Sequence, residues 1–233
     1  MDRLPTLFTD RLLLTPLQLQ DAPAIQALFA QWEVVRYLDR RVPWPYPDDG
    51  ALVYVRDVAL PAMAAGHEWH WMIRLRDDAE SVLGSISLFD QPGNNRGFWL
   101  APQWWGRGYM REACRAINGY WFEVLSRPLM QVPKAAANQA SRKVSEHEGM
   151  RRMGVREGDF VCGPMPVEIW EMTRAEWLGR LAGRPKRSEF ASASRTLWER
   201  VHPRRIQRGG WHRLRRCSRP RPLPQRSRQL LEN

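Results

Sequence analysis

Along the first 180 positions of this 233-residue chain the spacing of apolar residues changes repeatedly between two-residue and helical periods. The run Arg11-Leu12-Leu13-Leu14-Thr15 predicts a strand. Asp21 precedes Ile25, Leu28 and Phe29 at helical spacing and has the chemistry of an N-cap. Pro43, Pro45 and Pro47, with Trp44 and Tyr46 between them, predict a stiff connection. Asp48 or Asp49 then opens a helix whose inner face includes Val53, Val58 and Met63, and Gly66 ends it. Residues 70–75 and 82–89 alternate well enough to be paired strands. Pro92-Gly93-Asn94-Asn95 reads as a turn before a strand around Phe98. A helix over 111–125, a short strand over 129–132 and a helix over 138–148 follow. Residues 161–172 read as a last long strand interrupted at Gly163-Pro164. Strands and helices in this order predict one α/β domain with a mixed sheet.

After Trp177 the period stops. The chain carries a net charge of +11, which at first suggests nucleic acid. Residues 1–180 hold 21 basic and 22 acidic side chains, whereas residues 181–233 hold 15 and 3. The excess therefore lies wholly in the final segment, and the domain itself is close to neutral. That segment is rich in Arg, Pro, Ser and Gly and is expected to be largely disordered, because it has too little apolar surface to offset its ordering entropy. It reads as a basic arm for RNA or another polyanion, as a solvated tail, or as a non-native extension. Any contact with nucleic acid is expected only through it.

Three scattered cysteines, Cys114, Cys162 and Cys217, give neither a disulfide framework nor metal-ligand spacing, so no metal is expected. The first residues do not read as a signal peptide, and no apolar run approaches the ~18 residues that would cross a membrane. A cytoplasmic location follows as the default, with no membrane partner.

The strongest chemical signal is Gln103-Trp104-Trp105-Gly106-Arg107-Gly108-Tyr109-Met110, set between an apolar strand and a helix. A glycine turn there aims free N–H groups at one point, at the positive end of the helix dipole. The bare reading is a phosphate cradle, with an ordinary strand-to-helix turn as its rival. It is neither a Rossmann fingerprint, since Arg111 replaces the third glycine, nor a Walker loop.

Gln-x-x-Gly-x-Gly after a strand resembles the acyl-coenzyme A pyrophosphate loop of the GNAT N-acetyltransferase superfamily. Thr9-Asp10-Arg11-Leu12-Leu13-Leu14 and Leu83-Gly84-Ser85-Ile86-Ser87-Leu88 are similar to the first and third strands of its branch that acetylates protein N-termini, including those of ribosomal proteins, and Gly97-Phe98-Trp99-Leu100-Ala101-Pro102 then leads into the loop. Asn138-Gln139-Ala140-Ser141, running to Glu148-Gly149-Met150, resembles that branch's Asn-x-x-Ser … Glu-x-x-Gly-Phe segment. The resemblance covers about residues 9–177. It implies a mixed, mostly antiparallel central sheet flanked by helices, acetyl-coenzyme A as co-substrate, and a primary amine as acceptor, either a protein N-terminus or a small molecule. A GNAT-like domain over residues 1–180 and a basic tail over 181–233, in a monomer or homodimer, is the expected organisation.

The same resemblance implies site residues. Backbone groups of Leu100 and Ala101 would pair with the pantetheine arm and polarise the thioester carbonyl. The amides of Gly106, Gly108, Tyr109 and Met110 would hold the pyrophosphate, with Arg107 adding a charged contact. Arg107 also reads as a solvated loop arginine. Asn138 would contact the pantetheine arm, with a helix N-cap as its plain alternative, and Ser141 would face the coenzyme. Many family members place a tyrosine seven residues after the asparagine to protonate the leaving thiolate. Ser145 stands there, a hydrogen-bond donor at best. A glutamate base common before the Gly-aromatic pair is replaced by Asn94-Asn95-Arg96. Glu68, His70 and Asp90 are the substitutes, histidine being the side chain whose ordinary range suits the task. Trp32, Trp44, Tyr46, Trp69 and Trp71 are acceptor-pocket candidates that serve equally as core. Cys114 reads as a buried small hydrophobe. The rival to an enzyme is a non-catalytic acyl-coenzyme A binding or regulatory module with an RNA-binding arm.

Overall fold

The computed structural model describes residues 4–182. Most of the arginine-rich segment lies outside the described residues. Its first two positions complete the last helix.

Two antiparallel sheets make the frame. The first is a meander of β1 (Leu7–Phe8), β2 (Leu12–Pro16), β3 (Glu68–Leu75), β4 (Val82–Phe89) and β5 (Arg96–Leu100), paired in chain order. The second places β8 (Gly163–Thr173) between β6 (Leu129–Ala135) and β7 (Arg151–Phe160). The helices are α1 (Ala22–Phe29), α2 (Trp32–Val35), α3 (Gly50–Tyr54), α4 (Leu60–Ala64), α5 (Tyr109–Gly119), α6 (Gln139–Glu148) and α7 (Arg174–Ala182). This is the α/β architecture expected, an antiparallel framework flanked by helices.

The two faces of the first sheet carry different helices. Trp69 and Trp71 point to the α5 side, edge-on to Trp121 and Tyr120. Trp71 is fully buried there, and its indole N–H donates to the Pro5 carbonyl. Trp99 meets Phe29 of α1 on the opposite side, where His70 also lies against Tyr54.

Several local expectations change. Asp21 does not cap α1. Its carboxylate accepts from the Gln18 N–H and pairs with the Arg74 guanidinium, tying the turn before α1 to β3. The start of α3 is served by Gln26 of α1, whose side-chain oxygen accepts from the Ala51 N–H, and not by Asp48 or Asp49. The inward face of the helical stretch is Ala51, Val55 and Ala59, while Val53 and Val58 are exposed. Two small alanines flank Val55 at four-residue spacing on that face, so Val53 and Val58 mislead as markers of it. The expected strand over 161–172 is half of a hairpin: Val161 and Cys162 form its turn, and β7 was missing from the sequence reading. Strand β7 is exposed along most of its length and charged on both faces, which removes the alternation that marks strands.

Between β5 and β6 the two sheets meet only briefly. The Asn95 N–H donates to the Gln131 carbonyl at 2.8 Å, and the Gln131 N–H donates to Asn95 Oδ1 at 2.8 Å. Beyond this clasp no ladder joins the strands among the described residues. The result is a seam that opens toward the loop at the end of β5.

Candidate functional site

The seam acquires its donors from the β4–β5 register. Phe89 N–H bonds to the Asn95 carbonyl, and Ala101 N–H to the Leu83 carbonyl at 2.9 Å. Antiparallel pairs alternate between bonded and non-bonded. Arg96, Phe98 and Leu100, opposite Leu88, Ile86 and Gly84, are therefore the non-bonded set, and their backbone groups face away from β4 toward β6. The Leu100 carbonyl accepts from the Trp105 indole at 2.8 Å. Ala101 is corrected here: its N–H is held by Leu83 and its carbonyl by the Trp104 N–H, so neither faces the seam. The outward amides are those of Phe98 and Leu100.

At the mouth of the seam lies the glycine loop. Gly106 (φ +74°) and Gly108 (φ +78°) occupy the left-handed region. Trp104 and Trp105 close onto the Ala101 and Pro102 carbonyls. The N–H groups of Gly106, Arg107, Gly108, Tyr109 and Met110 have no backbone partner among the described residues. Gly108 is the N-cap of α5 and supplies no side chain to close it. Phosphate oxygens fit such a helix start. Arg107 lies over the Trp104 ring at 5.1 Å.

One carboxylate sits beside this positive end. Glu112 accepts from Thr9 Oγ1, from the Arg11 backbone N–H and from the Arg11 guanidinium. Burial raises its pKa, but those donors outweigh burial and hold it below the ordinary value. Arg11 also lies over the Tyr109 ring at 4.6 Å and donates to the Arg107 carbonyl, so the turn leading into β2 braces the loop.

The inner face of α6 runs along the other side. Asn138 Oδ1 accepts from the Ser141 N–H at 3.1 Å, so Asn138 is the N-cap of α6. Ser141 Oγ accepts from Lys134 Nζ at 2.8 Å. Glu148 holds the fully buried Arg96 side chain with two bonds, and Asn118 binds both partners. Ser145 lies one turn from Ser141 and about one turn from Glu148, hence on the same face. It is fully buried, and its hydroxyl has no hydrogen-bond partner among the described residues. An orphaned buried hydroxyl normally has an explanation, and a ligand group is one.

The remaining candidates separate. His70 lies on β3 with its ring against Tyr54 and Phe89. One ring nitrogen is 2.6 Å from Glu68 Oε2 and the other 2.7 Å from Ser87 Oγ, so no ring lone pair is left for an amine. As a catalytic base His70 is therefore corrected to a buried link between β3 and β4. Asp90 pairs with Arg127 at the surface. Glu148 is committed to the Arg96 guanidinium and the Asn118 amide. Burial pushes the Cys114 thiol up to about 12, so it is inert. Trp69, Trp71 and Tyr46 pack in the interior, whereas Trp32 and Trp44 are partly exposed against one another. Lys134, the one buried lysine among the described residues, went unnoticed. Its sequence signal is weak, because it follows Pro133, beyond the strand expected over 129–132.

This geometry agrees with what the chain is similar to. Residues 11–151 match the acetyltransferase (GNAT) domain family. The chain belongs to the GNAT acetyltransferase family. GNAT acyltransferases use acetyl-coenzyme A as donor. YdaF of Bacillus subtilis (strain 168), named as a ribosomal N-acetyltransferase, is 32% identical over 105 residues, covering 42% of this chain and 57% of its own. An Aspergillus fumigatus FsC-acetyl coenzyme A-N(2)-transacetylase is 28% identical over 127 residues, with 50% and 51% covered. The chain thus spans little more than half the length of these relatives. The GNAT fold is also that of a ribosomal-protein alanine acetyltransferase from Vibrio fischeri (TM-score 0.63, 13% identity, 74% of this chain and 98% of that one). RimL, a ribosomal-protein acetyltransferase solved with coenzyme A in disulfide linkage to one of its cysteines, shares it too (TM-score 0.61, 17% identity, 73% and 97%).

Proposed function

We propose that the domain over residues 1–180 transfers the acetyl group of acetyl-coenzyme A directly to a primary amine, with a protein N-terminus as the acceptor. The observation that carries this reading is the run of unpartnered amides from Gly106 to Met110, continuous with a seam lined by the Phe98 and Leu100 N–H groups. The loop amides suit the pyrophosphate. The β5 amides suit the pantetheine arm and the thioester carbonyl, where a preorganised donor stabilises developing negative charge. Ser141 and the orphaned Ser145 hydroxyl suit the same arm from the α6 side. The bound thioester supplies the electrophile. The protein holds it in a desolvated seam, so that the amine attacks within one complex. The amine proton leaves through water, because His70 is fully engaged. The acceptor class rests on the names of YdaF and of the ribosomal-protein enzymes that share the fold.

The test is titration of acetyl-coenzyme A into the full chain by calorimetry, followed by thiol release with N-terminal peptides and with small polyamines. Saturable binding and acetylation of peptide α-amines bear the reading out. Transfer to polyamines alone moves the acceptor to small amines. Binding without transfer to any amine leaves a coenzyme-binding module.

A further inference from the structure

Lys134 is the chemically least expected group in the seam. Its side chain leaves β6, passes over the Phe98 ring of β5 with Nζ 4.8 Å from the centroid, and donates to Ser141 Oγ at 2.8 Å. The residue is 6% exposed, and no carboxylate pairs with its ammonium among the described residues. A buried ammonium with one hydrogen bond and one ring face has donor capacity left over. The neighbouring cation differs: Arg96 is locked by Glu148 and Asn118 and has no freedom to serve a ligand.

We propose that Lys134 is the proton donor to the departing thiolate of coenzyme A, in place of the phenol that this chain lacks at Ser145. The assignment rests on the acetyl-transfer reading above. The amine nitrogen bonds to the thioester carbon, the carbon–sulfur bond breaks, and its electron pair goes to sulfur. Sulfur takes a proton from the Lys134 ammonium, the product nitrogen releases one to water, and Lys134 regains its proton from water. The products are the amide and the free thiol, with protons balanced.

The surroundings suit an acid working near neutrality. Burial, and then the charge of Arg96, bring the Lys134 pKa down to about 7. The charged and titratable groups around it are Arg96 on β5, Cys114 on α5, Glu148 on α6, and Glu168 directly opposite on β8, itself held by Arg142 and Arg152. An amine of that strength donates readily to a thiolate, whereas a serine hydroxyl does not.

The experiment compares the full chain with Lys134→Met and Lys134→Arg. Lys134→Met is expected to lower kcat by about 100-fold, with KM for acetyl-coenzyme A changed less than about threefold. The parent rate is expected to fall as pH rises past the Lys134 pKa, a limb that Lys134→Met lacks. Lys134→Arg keeps the charge but holds its proton, and it should not rescue. Nitrogen-15 NMR of the lysine side chains supplies a reading independent of turnover. The Lys134 resonance should shift more with coenzyme A than with desulfo-coenzyme A. Parental kcat and pH profile in Lys134→Met, rescue by Lys134→Arg, or a resonance indifferent to the sulfur would each overturn the proposal. Those results leave the transferase reading standing if the parent transfers acetyl groups. A parent that binds acetyl-coenzyme A but acetylates no amine instead removes that reading and the acid role together.

Discussion

Helices α5 and α6 both follow a strand and both start at the seam, yet their first turns are finished in opposite ways. Asn138 closes α6 with its own side chain, which accepts from the Ser141 N–H. Gly108 leaves α5 open, in a left-handed conformation and with no side chain to offer. A helix start has four N–H groups that need partners, and a protein can meet that need internally or leave it for an anion. The closed start fixes the position of Ser141 and, through it, Lys134. The open start is the one fit to bind phosphate. On the proposed function, the two N-termini divide the work of positioning and of binding, and the cap residue tells them apart.

The comparison breaks most directly at Gly108. Gly108→Trp puts a β-carbon into a backbone with φ +78° and an indole over the open amides. Acetyl-coenzyme A affinity is expected to fall by about 100-fold or more, a loss of roughly 3 kcal/mol in calorimetry. The circular dichroism spectrum should stay near that of the parent. Undiminished binding would mean that the open helix start does not hold the coenzyme. A milder change sharpens the same point. Asn tolerates the left-handed region, so Gly108→Asn converts the open start into a capped one like that of α6. Affinity should drop by about tenfold, roughly 1.4 kcal/mol, with little change in Tm.

The α5 start is legible in the sequence as a glycine turn between a strand and a helix, which alone fits an ordinary turn as well as a phosphate cradle; the Asn138–Met150 segment downstream narrows the choice. The α6 start was legible as a motif but not as a role. The resemblance points Asn138 to a coenzyme contact, with a cap as the plain alternative, and the structure gives its oxygen to the cap. The hydrogen-bonding direction of β5 could not be read, because it depends on which β4 residue each β5 residue faces. That register moves the outward amide from Ala101 to Phe98 and Leu100. His70 was misread for a related reason. Its partners Glu68 and Ser87 come from the same strand and from the next, and only the paired sheet shows both ring nitrogens engaged. Lys134 was invisible because the expected strand stops at Val132, before Pro133, and a lone lysine ordinarily snorkels to the surface; its burial is a tertiary fact.

Asn138→Ala tests the closed start. Losing an N-cap costs about 1 kcal/mol, which for a domain of this size lowers Tm by about 2–4 °C. If the cap is the main role of Asn138, acetyl-coenzyme A affinity changes by less than about threefold. A fall of tenfold or more would give Asn138 a direct coenzyme contact as well and would narrow the difference between the two starts.

The smallest effect concerns the carboxylate beside the open start. Glu112 keeps a lowered pKa because Thr9 and Arg11 donate to its charged form and outweigh the penalty of burial. A carboxyl whose pKa is lower folded than unfolded adds stability that is complete above its unfolded value, near 4.5, and fades as pH falls through the folded value. Glu112→Gln removes that contribution while keeping the shape. The parent should therefore melt about 1–3 °C above Glu112→Gln at pH 7, and the gap should close as the pH is lowered from about 4.5. Thermal melts of both proteins between pH 3 and pH 7 measure it. A gap that persists unchanged at the acid end would mean that packing of the side chain, and not its charge, joins β2 to α5 and holds the loop in place.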